Sequence, residues 1–267
     1  MLAWFEVPQT GAFVGTQGGL QINQAPKTSF PPRLRDRNLQ IELMDDPTLP
    51  QDQHDHALRG LTTIHQFSGL VNRFWNRLLP IIKEASAKKQ RPFKIADVGC
   101  GDGYLLRQLS KKATAAGVDV QLIGFDFSQV ACSLATKKAE AAGAKIRYEQ
   151  VDILAGEIPE KVDMIVNSLF LHHFEAADVE TILKKFRDAT TRGFIVEDLR
   201  RTVLGWGLAW AGGRILTRSP IVHYDGVVSV EGAFSIAEIQ DVLGAAGLKN
   251  VDIQKRWPQR FVLTFKH

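Results

Sequence analysis

The segment from Lys94 to Tyr104 places a short apolar strand directly before three glycines at alternate positions, and a helical pattern follows at once. It reads Lys-Ile-Ala-Asp-Val-Gly-Cys-Gly-Asp-Gly-Tyr. Glycine adopts backbone angles that crowd other residues, so this turn can be tight and its amides can lie against a ligand. The spacing is G-x-G-x-G after an acid, whereas a dinucleotide-binding turn has G-x-G-x-x-G. The segment therefore predicts a strand–turn–helix ligand site and disfavours a dinucleotide.

From Phe93 onward the chain alternates short apolar segments with helical patterns, which predicts a parallel sheet with helices on both faces. The first predicted strand ends at Val98, and the others are Val120–Phe125, Lys145–Tyr148, Val162–Val166, Phe194–Val196, Val251–Ile253 and Phe261–Phe265. The last two are close enough along the chain to pair antiparallel. A capping box of Ser235 with Glu238 opens the preceding helix, which we expect to end at Gly247. The predicted fold class is α/β, a doubly wound, seven-stranded, mostly parallel sheet with a C-terminal antiparallel hairpin.

Length and composition are those of a chain with one sizeable core, because 45% of the 267 residues are apolar. The net charge of +4 is small and the lysines and arginines are scattered, so we expect no nucleic-acid partner. Cys100 and Cys132 have neither metal-ligand nor disulfide spacing, which favours a reducing, cytoplasmic location. We also expect no secretory signal and no membrane-spanning helix.

The chain divides into three predicted parts. Residues 1–37 are rich in Gly, Gln, Pro and Thr without sustained periodicity, which is typical of a flexible leader. Residues 38–90 show apolar residues at three- and four-residue steps from His56 onward, and we interpret them as an N-terminal helical cover. Residues 91–267 form the predicted core, which carries an insertion at about 199–234.

The heptapeptide Asp97-Val98-Gly99-Cys100-Gly101-Asp102-Gly103 resembles motif I of the class I S-adenosylmethionine-dependent methyltransferases. This resemblance implies a Rossmann-like methyltransferase fold with S-adenosylmethionine as cofactor. It also implies that the glycine loop wraps the methionine half of the cofactor and that the acid before the first glycine helps to hold it. The chemistry agrees, because the ammonium and sulfonium groups of this cofactor favour nearby carboxylates.

Two further acids follow predicted strands at the edge where doubly wound sheets bind ligands. Asp126 can accept hydrogen bonds from both hydroxyls of a ribose, and a helix N-terminal acid is the alternative interpretation. Asp152 matches the adenine-contacting acid of the family, and a plain turn aspartate is the alternative. The predicted cofactor-binding residues are Asp97, Gly99, Cys100, Gly101, Gly103, Asp126, Phe127, Asp152, Ile153, Asn167, Ser168 and Leu169.

The segment from Asn167 to Phe174 resembles family members that methylate quinone precursors and other small aromatic or lipid-like molecules. It lacks the Asp/Asn-Pro-Pro-aromatic signature of nucleic-acid amino-methyltransferases, which disfavours base methylation. His172 or His173 is a candidate general base, because a free imidazole titrates near pH ~6.5; capping or packing is the alternative. Glu197 is the third catalytic candidate, and a solvated salt-bridge cluster is the alternative at that position.

The insertion places Trp206 and Trp210 among small residues, a pattern suited to line a hydrophobic pocket or to touch a membrane surface. An ordinary core helix is the alternative. The run from Glu197 to Asp225 resembles methyltransferases associated with type III polyketide synthases, which act on alkylated phenols and quinones. That resemblance implies a substrate lid and a small hydrophobic acceptor. The predicted substrate residues are Arg200, Arg201, Trp206, Trp210, His223 and Tyr224.

Two other functions stay open at this point. One is an NAD(P)-dependent oxidoreductase on a related Rossmann fold, which the glycine spacing and the predicted C-terminal hairpin disfavour. The other is a non-catalytic relative that binds the cofactor or a lipid. We expect no metal, because His54 and His56 flank Asp55 without a further cluster of ligands nearby in the sequence.

Overall fold

The computed structural model describes residues 34–45, 49–50, 53, 56–57, 60, 64, 68–87 and 91–267. Its strands are β1 (Phe93–Val98), β2 (Val120–Asp126), β3 (Ile146–Gln150), β4 (Val162–Ser168), β5 (Thr190–Leu199), β6 (Val251–Arg256) and β7 (Arg260–Lys266). They form one seven-stranded sheet in the order β3-β2-β1-β4-β5-β7-β6.

The pairing of these strands confirms the predicted fold class. β1 pairs parallel with β2 and β4, β2 with β3, and β4 with β5. β7 is antiparallel to both β5 and β6, which makes the C-terminal hairpin. β5 extends beyond its apolar run, because Glu197 and Asp198 also pair with β7. The carboxyl ends of β1, β2, β4 and β5 therefore meet at one edge of the sheet, where ligands bind in doubly wound folds.

Helices cover both faces of the sheet. The described α-helices are α1 (Leu70–Ser86), α2 (Tyr104–Ala116), α3 (Gln129–Ala141), α4 (Ala176–Ala189), α5 (Val203–Leu216), α6 (Pro220–Gly232) and α7 (Ile236–Ala245). One apolar core joins α4 and α7 to the sheet, and a second joins α1 and α2 to the opposite face. The predicted capping box of Ser235 and Glu238 is present, and its helix ends at Ala245, just before Gly247. Within the described part of the chain, every helix is too short or too polar to cross a membrane.

The two predicted N-terminal parts are only partly described. Most of the predicted leader, and most of the predicted helix that starts at His56, lie outside the described residues. Helix α1, at the end of the predicted cover, packs its apolar side against β1, β4 and β5. It therefore forms a layer of the core.

Residues 34–45, here called the N-terminal strap, run along helix α6. Arg37 Nε donates to the Gly232 carbonyl at 2.8 Å, and Asn38 N donates to the Glu231 carbonyl at 3.1 Å. Farther along, Leu43 N donates to Asp225 Oδ1 at 2.7 Å. Arg37 also donates to the Phe174 carbonyl at 2.8 Å. These bonds place the strap beside the carboxyl end of β4.

Candidate functional site

Three glycines follow β1 in the left-handed backbone region, with φ of 69° at Gly99, 51° at Gly101 and 74° at Gly103. A side chain at Gly99 would collide with the ring of Phe170, and one at Gly103 with the ring of Tyr148. At Gly101 a Cβ atom would meet no neighbour within 4 Å. The turn therefore requires glycine for its backbone, and it leaves open space beside Gly101.

The carboxylate of Asp97 is buried near the end of β1. The residue is 2% exposed, and its Oδ1 has no hydrogen-bond partner among the described residues. Burial, and then the nearby carboxylate of Asp126, raise the pKa of Asp97 well above its usual value. A buried carboxyl without a partner costs stability, whereas a cationic ligand group beside it would satisfy it. Asp97 is therefore a candidate contact for a cationic group of a ligand.

Asp126, at the end of β2, holds the glycine turn in place. Its Oδ2 accepts from Gly101 N at 2.8 Å, and its Oδ1 accepts from Ser128 N at 2.9 Å. Burial raises the pKa of Asp126 despite these two bonds. The side chain thus lies beside the glycine turn at the carboxyl end of β2. Its role at a ribose stays a prediction.

Asp152 forms a local turn after β3. Its Oδ1 accepts from Leu154 N at 2.9 Å and from Ala155 N at 3.0 Å. This is the geometry of the alternative that the sequence left open, a turn aspartate. Ile153 between them is buried in the core. Contact of Asp152 and Ile153 with an adenine stays a prediction.

Asn167, Ser168 and Leu169 continue from β4 along the same edge. Asn167 Nδ2 donates to the Val98 carbonyl at 2.6 Å, and its buried Oδ1 has no partner among the described residues. Leu169 adopts φ of 54°, which is unusual for a residue with a side chain, and its N donates to the Glu197 carbonyl at 2.9 Å. The structure therefore brings Asn167 beside the end of β1, close to Asp97.

The two remaining predicted cofactor residues differ in exposure. Cys100 is buried, and burial raises the pKa of its thiol well above the usual value, so the thiol stays protonated. Phe127 follows β2 and is 44% exposed. Cys100 therefore packs beneath the glycine turn, whereas Phe127 lies at the surface of the same edge.

His172 lies in a 3₁₀ turn, Leu171–His173, between two carboxylates. Its Nδ1 is 2.6 Å from Asp198 Oδ1, and its Nε2 is 3.5 Å from Glu42 Oε1. Burial lowers the pKa of His172, but Asp198 and Glu42 together raise it to about 10. His172 is therefore protonated at neutral pH in this arrangement. His173 is more open, with 28% of its side chain exposed, and its Nδ1 is 3.9 Å from Glu42 Oε1.

Glu197 lies in the core between two arginines. It is 1% exposed, Arg73 Nε donates to its Oε2 at 2.7 Å, and Arg260 Nη1 donates to its Oε1 at 3.2 Å. This carboxylate links β5 to Arg73 on α1 and to Arg260 in β7. A carboxylate paired with two arginines is poorly placed to accept a proton. The sequence left open a solvated salt-bridge cluster here; the ion pairs are present, but they are buried. Its catalytic role stays a prediction.

Arg201 and Trp206 are buried by their own partners. Arg201 donates to the Ala233 carbonyl and to Glu238 Oε1, both at 2.5 Å. Trp206 is 5% exposed, and its indole N–H donates to Glu231 Oε1 at 3.0 Å. Both side chains therefore fasten the insertion to the rest of the chain. Arg200, next to them, bonds through its backbone to the Gln259 carbonyl at 2.9 Å.

Trp210, His223 and Tyr224 lie nearer the surface of the insertion. Trp210 is 45% exposed, and the guanidinium of Arg214 lies 4.5 Å from the centre of its ring system. His223 Nε2 is 2.9 Å from the Thr217 carbonyl, and Tyr224 donates to Gln40 at 3.4 Å. Contact of these residues with an acceptor, or of α5 with a membrane, stays a prediction.

The sequence analysis missed two residues of this site. Glu42 lies in the strap, and its sequence context predicts no function. Only the folded chain brings it close to His172 and His173. Arg73 lies on α1, where its position among apolar neighbours gave no indication of a partner in β5. The only signal for Glu42 was its place in a short acidic run before the first predicted helix.

The fold and the glycine turn define a Rossmann-like domain that binds a cofactor across the carboxyl edge of a sheet. Residues 95–193 match the family model described as "Methyltransferase domain". An uncharacterized methyltransferase of Mycobacterium tuberculosis is 31% identical over 103 residues, which cover 37% of this chain and 46% of that protein. The chain thus spans about half the length of this relative.

Two other proteins are similar over a larger part of the chain. The ubiquinone biosynthesis O-methyltransferase of Chelativorans sp. is 26% identical over 58% of this chain and 68% of that protein. The solved magnesium protoporphyrin IX methyltransferase from Synechocystis, with bound S-adenosylhomocysteine, superposes with a TM-score of 0.52 at 17% identity. The superposition covers 83% of this chain and 90% of that one. Residues 95–193 thus form a methyltransferase domain on a Rossmann-like fold, in agreement with the predicted class and with S-adenosylmethionine as the predicted cofactor.

The described residues fit this cofactor. The buried acceptors Asp97 Oδ1 and Asn167 Oδ1 lack partners, as expected where a ligand ammonium or hydroxyl completes the hydrogen bonding. Gly101 faces open space that a side chain would fill. Two carboxylates at the turn, Asp97 and Asp126, complement the positive charge of the methionine half.

Proposed function

We propose that the chain is a methyltransferase that moves the methyl group of S-adenosylmethionine to a small, largely apolar acceptor of phenolic, quinone-like or polyketide type. The observation that carries the proposal is the buried carboxylate of Asp97 beside three left-handed glycines, whose Oδ1 has no hydrogen-bond partner among the described residues. Such a carboxylate is costly in an empty site and favourable beside a cationic ligand. The bound cofactor supplies an electrophilic methyl group on a sulfonium.

Three residues of the chain have proposed roles in holding the cofactor. Asp97 would hold the cationic methionine half, Asp126 would hold both the glycine turn and a ribose, and Asn167 would offer its free amide oxygen. These groups are fixed by the sheet, so rate enhancement comes chiefly from alignment of acceptor and methyl group. His172, which keeps its proton at neutral pH, is unsuited to remove a proton from the acceptor. His173, partly exposed on the same turn, is the better candidate base.

The acceptor class has support of two kinds. A relative of 26% identity is named a ubiquinone biosynthesis O-methyltransferase, and the alignment reaches 58% of this chain. The predicted insertion consists of two apolar helices, α5 and α6, that follow β5 at the ligand edge. Both favour a small hydrophobic acceptor, and the family match does not favour the oxidoreductase alternative.

Calorimetric titration with S-adenosylmethionine and, in parallel, with NADH tests the cofactor. We expect heat and thermal stabilisation with the first and neither with the second. An absence of both effects at millimolar S-adenosylmethionine would remove the proposal.

Transfer of a labelled methyl group to alkylated phenols and isoprenoid quinones then tests the acceptor. Binding of the cofactor without any transfer would favour the non-catalytic relative. The cytoplasmic location stays a prediction; the structure shows both cysteines buried and unpaired.

A further inference from the structure

Three potential metal ligands meet at the carboxyl edge of β4. His172 and His173 are consecutive in the 3₁₀ turn, and their ring centroids are 4.2 Å apart with planes inclined by 33°. Glu42 reaches them from the strap, with its Oε1 3.5 Å from His172 Nε2 and 3.9 Å from His173 Nδ1. One nitrogen from each ring and this oxygen all lie within 4.8 Å of one another.

Neighbouring residues hold two of these ligands, His172 and Glu42, in place. Asp198 Oδ1 lies 2.6 Å from His172 Nδ1, which turns the opposite nitrogen, Nε2, toward Glu42. A carboxylate behind a histidine is the usual second partner of a metal-binding imidazole. Glu42 accepts a hydrogen bond from the Ser229 hydroxyl, and the next two backbone amides after Glu42 donate to Asp225 at 2.7 and 3.1 Å. The cluster is therefore built by the fold.

We propose that Glu42, His172 and His173 bind one divalent transition-metal ion, with Zn²⁺ as the best chemical fit. Two imidazole nitrogens and one carboxylate oxygen with an open fourth position are a known zinc donor set. Metal–ligand lengths of about 2.0–2.1 Å put neighbouring ligand atoms of a tetrahedral site roughly 3.3 Å apart. The observed 3.5 and 3.9 Å from Glu42 to the two histidines lie near that spacing. The two histidine nitrogens lie within 4.8 Å of each other and would move closer around an ion.

The charge of the cluster agrees with this assignment. Glu42 lies on one side of His172, with its Oε1 3.5 Å from Nε2. With Asp198 on the other side, two carboxylates surround His172 and stabilise one positive charge there. A divalent cation held between these groups would be stabilised by the same two carboxylates.

The inference departs from our expectation of no metal, and the reason is geometric. The sequence offers only the adjacent pair His172 and His173, whereas the third ligand lies far away in the strap. Hydrogen bonding alone is the competing explanation, since a proton shared between His172 and Glu42 also satisfies both groups. The two explanations differ in whether a cation binds with the affinity and stoichiometry of a built site.

Equilibrium dialysis of the chelator-treated full chain against ZnCl₂, followed by elemental analysis, tests the proposal. We expect about one Zn²⁺ per chain, lost on dialysis against EDTA. Co²⁺ in its place should give the visible absorption of a tetrahedral ion. The variants Glu42→Gln and His173→Ala should each bind Zn²⁺ at least tenfold more weakly.

His223→Ala is the matched control, because His223 bonds to the Thr217 carbonyl outside the cluster. It should bind Zn²⁺ like the unaltered chain. Circular dichroism and thermal melting establish that each variant is folded. Unaltered Zn²⁺ binding by Glu42→Gln, or no binding by the unaltered chain, would overturn the proposal. The measurement needs neither cofactor nor acceptor, so it can be read without the methyl-transfer assay. A bound ion would occupy a ring nitrogen of His173, and His173 would then not serve as the base.

Discussion

His172 Nδ1 lies 2.6 Å from Asp198 Oδ1, a contact that joins the turn after β4 to the end of β5. Asp198 is almost fully buried, and its other oxygen accepts from Leu171 N at 2.7 Å and from Phe170 N at 3.2 Å. One carboxylate therefore closes the turn and orients the imidazole. The turn carries both candidate histidines, so its geometry decides which of them can meet an acceptor.

His172→Asn should remove a pH-dependent part of the stability. The pKa of His172 is raised from 6.5 to about 10 by Asp198 and Glu42, so the folded state binds this proton more tightly than the unfolded state. The stabilisation is complete below pH 6.5 and is lost as the pH rises through about 10. Urea unfolding across this range should show a gap between parent and variant that narrows as the pH rises. A gap that stays constant would show that packing, and not the proton, is lost; His223→Asn serves as control.

Asp97→Asn should separate stability from cofactor binding. Burial, and then Asp126, raise the pKa of Asp97, so the folded state loses stability as the pH rises above the usual pKa of an aspartate. The variant should melt at the same or a higher temperature, with a gain of up to about 1 kcal/mol. Its affinity for S-adenosylmethionine should fall at least tenfold, because a charge-assisted bond is lost. Asp119→Asn, at an exposed position, should change neither quantity.

Gly101→Ala and Gly117→Ala form a matched pair. Both glycines have positive φ, 51° and 63°, and neither has a neighbour within 4 Å of an added Cβ. Each alanine should cost about 1–2 kcal/mol of unfolding free energy, because it is held in the left-handed region. Only Gly101→Ala should weaken binding of S-adenosylmethionine in calorimetry, since Gly117 caps α2 away from the ligand edge. Equal affinities in the two variants would place the cofactor elsewhere.

Glu197→Gln should lower the free energy of unfolding and leave the rate of methyl transfer per folded molecule largely unchanged. Removing the charge leaves Arg260, 4% exposed, without its buried partner and weakens the bond to Arg73, at a cost of about 3 kcal/mol. The control Glu149→Gln removes a surface pair with Arg147 and should cost less than about 1 kcal/mol. Urea unfolding measures both. Methyl transfer per folded molecule should persist in Glu197→Gln; its abolition in a folded variant would restore Glu197 as a catalytic candidate.

The local sequence was sufficient for the scaffold and for one side of the site. The central strands β1, β2, β4 and β5 follow from apolar runs between turns, because a buried parallel strand must be apolar on both faces. The glycine turn follows from three alternate glycines after a strand, and the capping box of Ser235 with Glu238 is a contact over one helical turn. These are short-range rules, and they also placed Asp97 and Asp126 at the ligand edge.

The tertiary structure alone decided the roles of the acids on the other side. Glu197 and Asp198 are neighbours in β5, and successive side chains of a strand face opposite sides of the sheet. Glu197 therefore meets Arg73 on α1, whereas Asp198 meets His172 in the turn after β4. The sequence cannot predict different roles for two adjacent carboxylates. The residues packed against each face of the sheet give them different partners.

Glu42 is the clearest case of what the sequence alone left undetermined. Its neighbours in the chain predict nothing about His172 and His173, which lie far along the chain beyond four strands of the sheet. The strap reaches them only because its amides bond to Asp225 and its arginine bonds to carbonyls beside the turn. Strands and turns can be predicted from consecutive residues. The contact of Glu42 with the two histidines depends on long-range packing, which no local sequence pattern encodes.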